Sequence, residues 1–101
     1  MVQGLLGENM IYPEFDKFSI ENLQQQLVVL YAQITQERQI YTNILSPDFK
    51  PAIEYGEEIR INHMRTSNNR MFHYTTKKNK IQFEIQSRCE VEGIEPPPYN
   101  L

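Results

Sequence analysis

The sequence predicts an α+β domain, in which one long amphipathic N-terminal helix is followed by a three-stranded antiparallel β-meander, with an extended arm at each end. Apolar residues recur every three or four positions over residues 19–45, as on one face of a helix. Over residues 58–94 they alternate with polar residues, as in strands that bury one face. A chain of 101 residues with 40% apolar content suits one small domain, which we place at residues 19–94.

The predicted helix begins at Ser19 and ends at Leu45. A serine hydroxyl can accept a hydrogen bond from a free N–H group of the first turn, and Pro47 disfavours helical geometry at Ser46. The apolar seam repeats close to the coiled-coil period of about 3.5 residues. We expect this seam either to pack against the chain's own sheet or to bind another chain. Its members are Ile20, Leu23, Leu27, Leu30, Ile34, Tyr41 and Ile44.

Part of this helix, LVVLYAQITQERQIYTNIL, resembles the helix of the small phycobilisome-degradation proteins of cyanobacteria and red-algal plastids. The resemblance covers about a fifth of the chain. Those proteins are all-helical and lack a sheet like the one predicted here, and none of their functional residues is carried over. The matching positions are Leu27, Leu30, Tyr31, Gln33, Tyr41 and Leu45.

Three segments with alternating apolar residues predict the meander, and the helix is the element that could cover its apolar face. Turn chemistry separates them at residues 67–69 and 77–80, because Asn tolerates the backbone angles of tight turns. Residues 46–57, which hold two prolines and a glycine, form the predicted connector. The inward-facing residues of the strands would be Ile59 and Ile61, then Phe72 and Tyr74, then Ile81, Phe83, Ile85, Cys89 and Val91.

Catalytic and metal-binding signatures are missing from the sequence, so we predict that the protein is not an enzyme and needs no cofactor. His63 and His73 could face each other across a hairpin, but no HxH, HxxxH or CxxC spacing supplies further metal ligands, so we expect them to be ordinary histidines of a sheet surface. A single cysteine, Cys89, excludes an internal disulfide and falls in the apolar register of its strand.

The net charge of −3 gives no general reason to expect binding to nucleic acid or to an anionic membrane. No apolar run approaches the roughly 18 residues that span a bilayer, and the N-terminus has no basic region typical of a signal peptide. We therefore expect a soluble protein without a membrane partner, located inside the cell or within an assembled particle.

A basic hairpin is predicted between residues 60 and 80, where no acidic residue occurs. Its aromatic neighbours would suit single-stranded nucleic acid. A plain solvated sheet face is the first expectation; a protein partner comes next, since acidic segments flank the hairpin, and nucleic acid comes last. The basic residues are Arg60, Arg65, Arg70, Lys77, Lys78 and Lys80.

Both ends of the chain are predicted to be arms. The first covers residues 1–18, whose scattered apolar side chains suggest docking against another surface. The second covers residues 95–101 and contains PPPY, in which Pro96, Pro97 and Tyr99 fit the PPxY pattern that WW domains bind as polyproline II. The preferred interpretation is that the three prolines end the last strand, or that the tail is a short arm laid on a neighbouring subunit.

The sequence as a whole favours a non-enzymatic structural subunit of a larger complex or of a viral, phage-like particle. Such a subunit would bind neighbouring protein chains, most simply its own copies, through the helix seam, the sheet edges and the arms. Two alternatives remain open at this stage: an adaptor that recruits a WW-domain partner through PPPY, and a small nucleic-acid binder that uses the basic hairpin.

Overall fold

The structure, a computed structural model, describes residues 12–95. A short 3₁₀ turn, Pro13–Phe15, comes first, followed by the long helix α1, Ile20–Leu45. The six-residue helix α2, Lys50–Tyr55, lies in the connector, and the 36-residue helix α3, Glu57–Glu92, completes the chain. No helix in this range has both the length and the hydropathy needed to cross a membrane.

The predicted α+β fold is wrong, because residues 12–95 contain no strand. The whole segment predicted as the meander, residues 58–94, is almost entirely the single helix α3, and the hairpin predicted over residues 60–80 does not exist. Both predicted turns, at residues 67–69 and 77–80, are ordinary helical turns of α3. The connector also differs, since it contains a helix of its own.

Helix α1 forms where the apolar spacing predicts it. The Ser19 hydroxyl accepts a hydrogen bond from the Asn22 N–H at 3.0 Å, which is the predicted cap. The side chains of the seam lie on the buried face, and the one position that the apolar pattern skips is filled by a buried glutamate, Glu37. The three–four spacing of α1 is therefore continuous when Glu37 is included.

Helix α3 has a buried face with the same three–four spacing, but polar residues occupy several of its positions. Ser67, Ile81, Ile85 and Cys89 are buried, and the half-buried positions Arg60, Met64, Met71, Tyr74, Lys78 and Arg88 fill the gaps between them. The segment is free of glycine and proline over all 36 residues, so nothing interrupts the backbone hydrogen bonds of a helix.

The chain divides into two compact units, and α1 and α3 each contribute to both. Among the described residues, the first unit consists of residues 12–29 and 77–95. Its core is entirely apolar at the centre: Leu23, Ile81, Ile85 and Cys89 are each 0% exposed. Burying one such aliphatic side chain contributes about 1.5–3 kcal/mol.

Hydrogen bonds from Arg88 hold the N-terminal segment of the first unit against α3. Its guanidinium donates to the backbone oxygens of Phe15 and Phe18 and to the Glu84 carboxylate, the last at 2.8 Å. Phe15 is buried, and the ring of Tyr12 meets Phe83 edge to face at 6.1 Å between centroids. An arginine at this half-buried position thus stabilises the unit, because its guanidinium is matched by a carboxylate and by backbone oxygens.

The end of α3 is capped by Gly93, whose φ of +73° lies in the left-handed region. The Ile94 N–H donates to the Cys89 carbonyl at 2.9 Å, and the Gly93 N–H donates to the Glu90 carbonyl at 3.3 Å. These are bonds of the kind that end helices at a left-handed glycine.

The second unit, Leu30–Thr76, contains the chain reversal between α1 and α3. Leu30, Ile34, Ile44 and Ala52 supply its buried apolar side chains. Arg60 on α3 donates to the carbonyls of Ile44, at 2.5 Å, and Ser46, at 2.7 Å. Because the last carbonyls of a helix have no partner within it, this arginine caps the C-terminus of α1.

Candidate functional site

A buried polar cluster in the second unit joins α1 to α3. The Glu37 carboxylate accepts hydrogen bonds from Nε of Arg70 at 2.9 Å, from Nη2 of Arg70 at 2.9 Å, and from the Ser67 hydroxyl at 2.6 Å. Glu37 and Ser67 are buried, whereas the Arg70 side chain is 44% exposed. Arg70 therefore supplies a counter-charge, and both carboxylate oxygens accept hydrogen bonds, as a buried ion requires.

The cluster shifts the ionisation of both charged groups. The hydrogen bonds from Arg70 lower the pKa of Glu37, and the bond from Ser67 adds to them against the opposing effect of burial. In return, the carboxylate raises the pKa of Arg70. At neutral pH the pair is therefore fully ionised, and the cluster is a fixed structural contact more than a proton donor or acceptor.

An open cleft of about 430 Å³ lies beside this cluster, entirely within the second unit. Residues of α1 and α3 line this cleft, together with Phe49 from the connector. The Phe49 ring packs edge to face against His63 at 5.2 Å and lies 5.8 Å from the Arg60 guanidinium. The lining residues are Ile40, Asn43, Ile44, Phe49, Asn62, His63, Thr66 and Arg70.

No protein-family model matches this chain, and neither a curated protein nor a solved structure matches it. Its function is therefore inferred from its own residues and their geometry.

The residues of the predicted helix seam are largely buried within the units themselves. Leu23 and Leu27 lie in the core of the first unit, and Leu30, Ile34 and Ile44 in that of the second. The two remaining members, Ile20 and Tyr41, are half-buried. That the seam binds neighbouring chains stays a prediction.

The six predicted basic residues all lie on α3, and several have partners within their own unit. Arg60 caps α1 and pairs with Glu57, Arg70 binds Glu37, and the Lys80 ammonium lies 5.6 Å from the Tyr12 ring centroid. Arg65 donates to Asn62 at 3.2 Å. Two of the guanidinium groups are thus committed to intramolecular carboxylates, which reduces the charge that a nucleic acid could meet.

The histidines do not face each other as predicted. His63 and His73 lie on the same helix, ten residues apart, which corresponds to about 15 Å along its axis. Within residues 12–95 no group of histidine, cysteine and acidic side chains could hold a metal ion. Cys89 is buried, so its thiol is shielded from solvent.

Two predicted features fall outside the described residues. They are the PPPY motif with Pro96, Pro97 and Tyr99, and most of the N-terminal arm, residues 1–11. The end of that arm is described: Phe15 is buried, and the Tyr12 ring contacts Phe83. That the arm docks against another surface stays a prediction.

Sequence reasoning missed the most unusual part of the site, which is Glu37 with Ser67. A signal for Glu37 does exist in the sequence: it lies three residues after Ile34 and four before Tyr41, where the seam requires a buried residue. A glutamate at such a position implies a basic or hydroxyl partner elsewhere in the chain. Ser67 carries no comparable signal.

Proposed function

We propose that this chain is a non-enzymatic subunit of a larger protein assembly, which binds neighbouring chains through exposed apolar side chains on its helices. The observation that supports this proposal is the balance of apolar residues in the described part of the chain. Ten hydrophobic residues are buried there, and ten large hydrophobic residues are at least 45% exposed. Single exposed apolar residues are normal. When the exposed large hydrophobic residues are as many as the buried ones, the exposed set favours a surface that binds other protein chains.

The exposed apolar residues occur in both units. On α3 of the second unit, Ile61 and Phe72 are 52% and 68% exposed. They are separated by eleven residues, which is close to three helical turns, so both lie on one face about 16 Å apart. In the first unit, the adjacent residues Val28 and Val29 are 68% and 57% exposed. The other members are Leu45, Ile53, Tyr55, Phe83, Val91 and Ile94.

Sedimentation velocity over about 2–200 µM tests this proposal, since association through a surface depends on concentration by mass action. We expect the mass to rise above 12.0 kDa. The variants Ile61→Gln/Phe72→Gln and Val28→Gln/Val29→Gln should reduce association without lowering the thermal unfolding temperature, because these side chains contribute little to the core.

The matched control is Ala32→Gln/Thr35→Gln, which changes two exposed positions of α1 that carry no large apolar side chain. This variant should associate like the parent protein. A 12.0 kDa monomer at every concentration, with no effect of either apolar pair, would remove the basis for self-assembly. Loss of thermal stability in the apolar variants would show instead that these side chains belong to the fold.

A further inference from the structure

We infer that the cleft of the second unit binds a carboxylate attached to an apolar body, such as an aromatic acid or an acidic side chain next to an aromatic one. The inference concerns a different surface from the exposed apolar residues, and it does not depend on the proposed assembly role. It rests on the size of the cleft, on the division of its lining into apolar and polar parts, and on the sign of its charge.

The size and the apolar lining suit a small organic body. A volume of about 430 Å³ falls within the range of roughly 300–1,000 Å³ that is typical of ligand sites. Ile40 and Ile44 from α1 and Phe49 from the connector form the apolar part of the lining. Ile44 is buried and the other two are half-buried, so a flat or branched group placed on them would lose contact with water.

The polar lining supplies hydrogen-bonding groups from both helices. Asn43 comes from α1, and Asn62, His63 and Thr66 come from α3. The Thr66 hydroxyl donates to the Asn62 carbonyl, at 3.1 Å, and can still accept. Side-chain amides on opposite walls can donate to an anionic oxygen, so the polar groups of a bound acid can be satisfied from more than one direction.

The charge of the lining favours an anion. Arg70 is the one residue in it that is charged at every ordinary pH, and no Asp or Glu belongs to the lining. Glu37 holds the guanidinium through Nε and Nη2, so within residues 12–95 Nη1 has no hydrogen-bond partner. The bidentate contact also fixes the orientation of the guanidinium. Arg70 therefore loses less side-chain conformational entropy when a ligand binds.

Glu37 limits the strength of this site, because it compensates part of the charge of Arg70. We therefore expect a dissociation constant of about 1 mM for a small aromatic acid, in line with a ligand of few atoms. Specificity should be more informative than affinity: the acid should bind about tenfold more tightly than its uncharged amide, since the amide cannot make a charge-assisted bond to Arg70.

The experiment is an NMR titration of the ¹⁵N-labelled full chain with 4-phenylbutyrate, and with 4-phenylbutyramide as the neutral control. We expect saturable shifts at His63, Thr66, the Arg70 Nε–H and the side-chain amides of Asn43 and Asn62. Shifts scattered over the other basic residues, equal affinity for acid and amide, or no saturation by about 20 mM would each overturn the inference.

Two variants and a control locate the site. Arg70→Gln should weaken binding of the acid about tenfold, and Lys77→Gln, which removes a positive charge at an exposed position of α3 outside the cleft, should not. Because Arg70 also holds Glu37, its loss could unfold the unit, so Asn43→Trp provides an independent variant that fills the cleft from an exposed position. Unchanged binding in the folded Asn43→Trp protein would contradict the assignment.

A second titration, with peptides, distinguishes a free carboxylic acid from a segment of a protein chain as the natural ligand. Acetyl-Phe-Glu-Phe-amide is compared with acetyl-Phe-Gln-Phe-amide under the same conditions. If the glutamate peptide binds at least tenfold more tightly than 4-phenylbutyrate, and at the same residues, then the natural ligand is a segment of a protein chain. If only the small acid binds there, the ligand is a free carboxylic acid. Failure of both would overturn the inference while leaving the proposed assembly role untouched.

Discussion

Glu37 is the residue on which the second unit's polar contacts converge, so its charge should be measurable in stability. In Glu37→Gln, an amide replaces a carboxylate that accepts three hydrogen bonds, and Arg70 loses its counter-ion. We expect the free energy of unfolding to fall by about 2 kcal/mol. The loss is smaller than for a fully buried pair because Arg70 is 44% exposed and can be solvated.

Urea denaturation followed by circular dichroism measures this change. The matched control is Glu58→Gln, which makes the same chemical change at an exposed position in the first turn of α3 and should cost less than about 1 kcal/mol, the size of its interaction with the helix dipole. Equal effects of the two substitutions would mean that the Glu37 cluster contributes nothing beyond a surface charge.

The same carboxylate predicts how stability depends on pH. The pKa of Glu37 is lowered in the folded protein, first by the hydrogen bonds from Arg70. A group whose folded pKa lies below its unfolded value of about 4.3 stabilises the protein above that value. This contribution is lost as the pH falls through the folded pKa.

The difference in unfolding free energy between the parent protein and Glu37→Gln should therefore be constant near neutral pH and shrink below about pH 4. Denaturation at a series of pH values from about 7 to 3 tests this expectation. A difference that stays the same down to the lowest pH would show that the charge of Glu37 is not what stabilises the cluster.

Gly56, between α2 and α3, has a backbone conformation that other residues avoid. Its φ is +101° and its ψ is 170°, in a region that is essentially restricted to glycine. A Cβ built at this position meets no atom within 4 Å, so space is not the constraint. Any cost of Gly56→Ala would therefore come from the backbone alone.

We expect Gly56→Ala to lower the free energy of unfolding by about 1–3 kcal/mol. Gly93→Ala is the matched comparison, because a Cβ there is also free of contacts but φ is +73°, within the ordinary left-handed region. Its cost should be smaller, about 1 kcal/mol. Thermal and urea unfolding of both variants show which substitution lowers the free energy of unfolding more. A larger effect at Gly93 would show that the connector can adopt another conformation.

At the level of elements, the sequence predicts α1 closely and fails for α3. The seam of α1 is apolar at nearly every position, so its period is visible. In α3 the inward positions include Arg60, Ser67 and Arg88, while Ile61 and Phe72 are exposed. The remaining apolar residues happen to alternate, which imitates a strand. The lack of glycine and proline over 36 residues was the better indicator.

The candidate site was harder to predict than the fold, because its central contacts join residues far apart in the sequence. Arg70 and Glu37 are 33 positions apart, and Ser67 and Glu37 are 30 positions apart. The sequence shows where the arginines are, but not which of them bind carboxylates and which bind backbone carbonyls at the end of a helix. Arg60, Arg70 and Arg88 fit a basic surface or a strand when only the sequence is considered, yet each of them stabilises contacts within its own unit.

For the whole molecule, the two units should differ in their resistance to opening. The core of the first unit has four side chains at 0% exposure and one buried carboxylate, Glu84. The apolar side chains of the second unit are 3–6% exposed, its buried polar residues are Glu37 and Ser67, and its own residues line an open cleft. Fewer fully buried apolar contacts give a lower free energy of local opening. We therefore expect amide protons of the second unit to exchange at least about tenfold faster than those of the first.

Native-state hydrogen exchange read by NMR tests this difference, with Leu23, Ile81 and Ile85 reporting on the first unit and Leu30, Ile34 and Ser67 on the second. In Glu37→Gln, protection of the second set should fall by about thirtyfold, which corresponds to the expected 2 kcal/mol. Protection of the first set should fall less, because its slowest amides do not depend on the Glu37 contacts. If both sets lose protection equally, the chain opens as one cooperative body, and the two units do not differ in their free energy of opening.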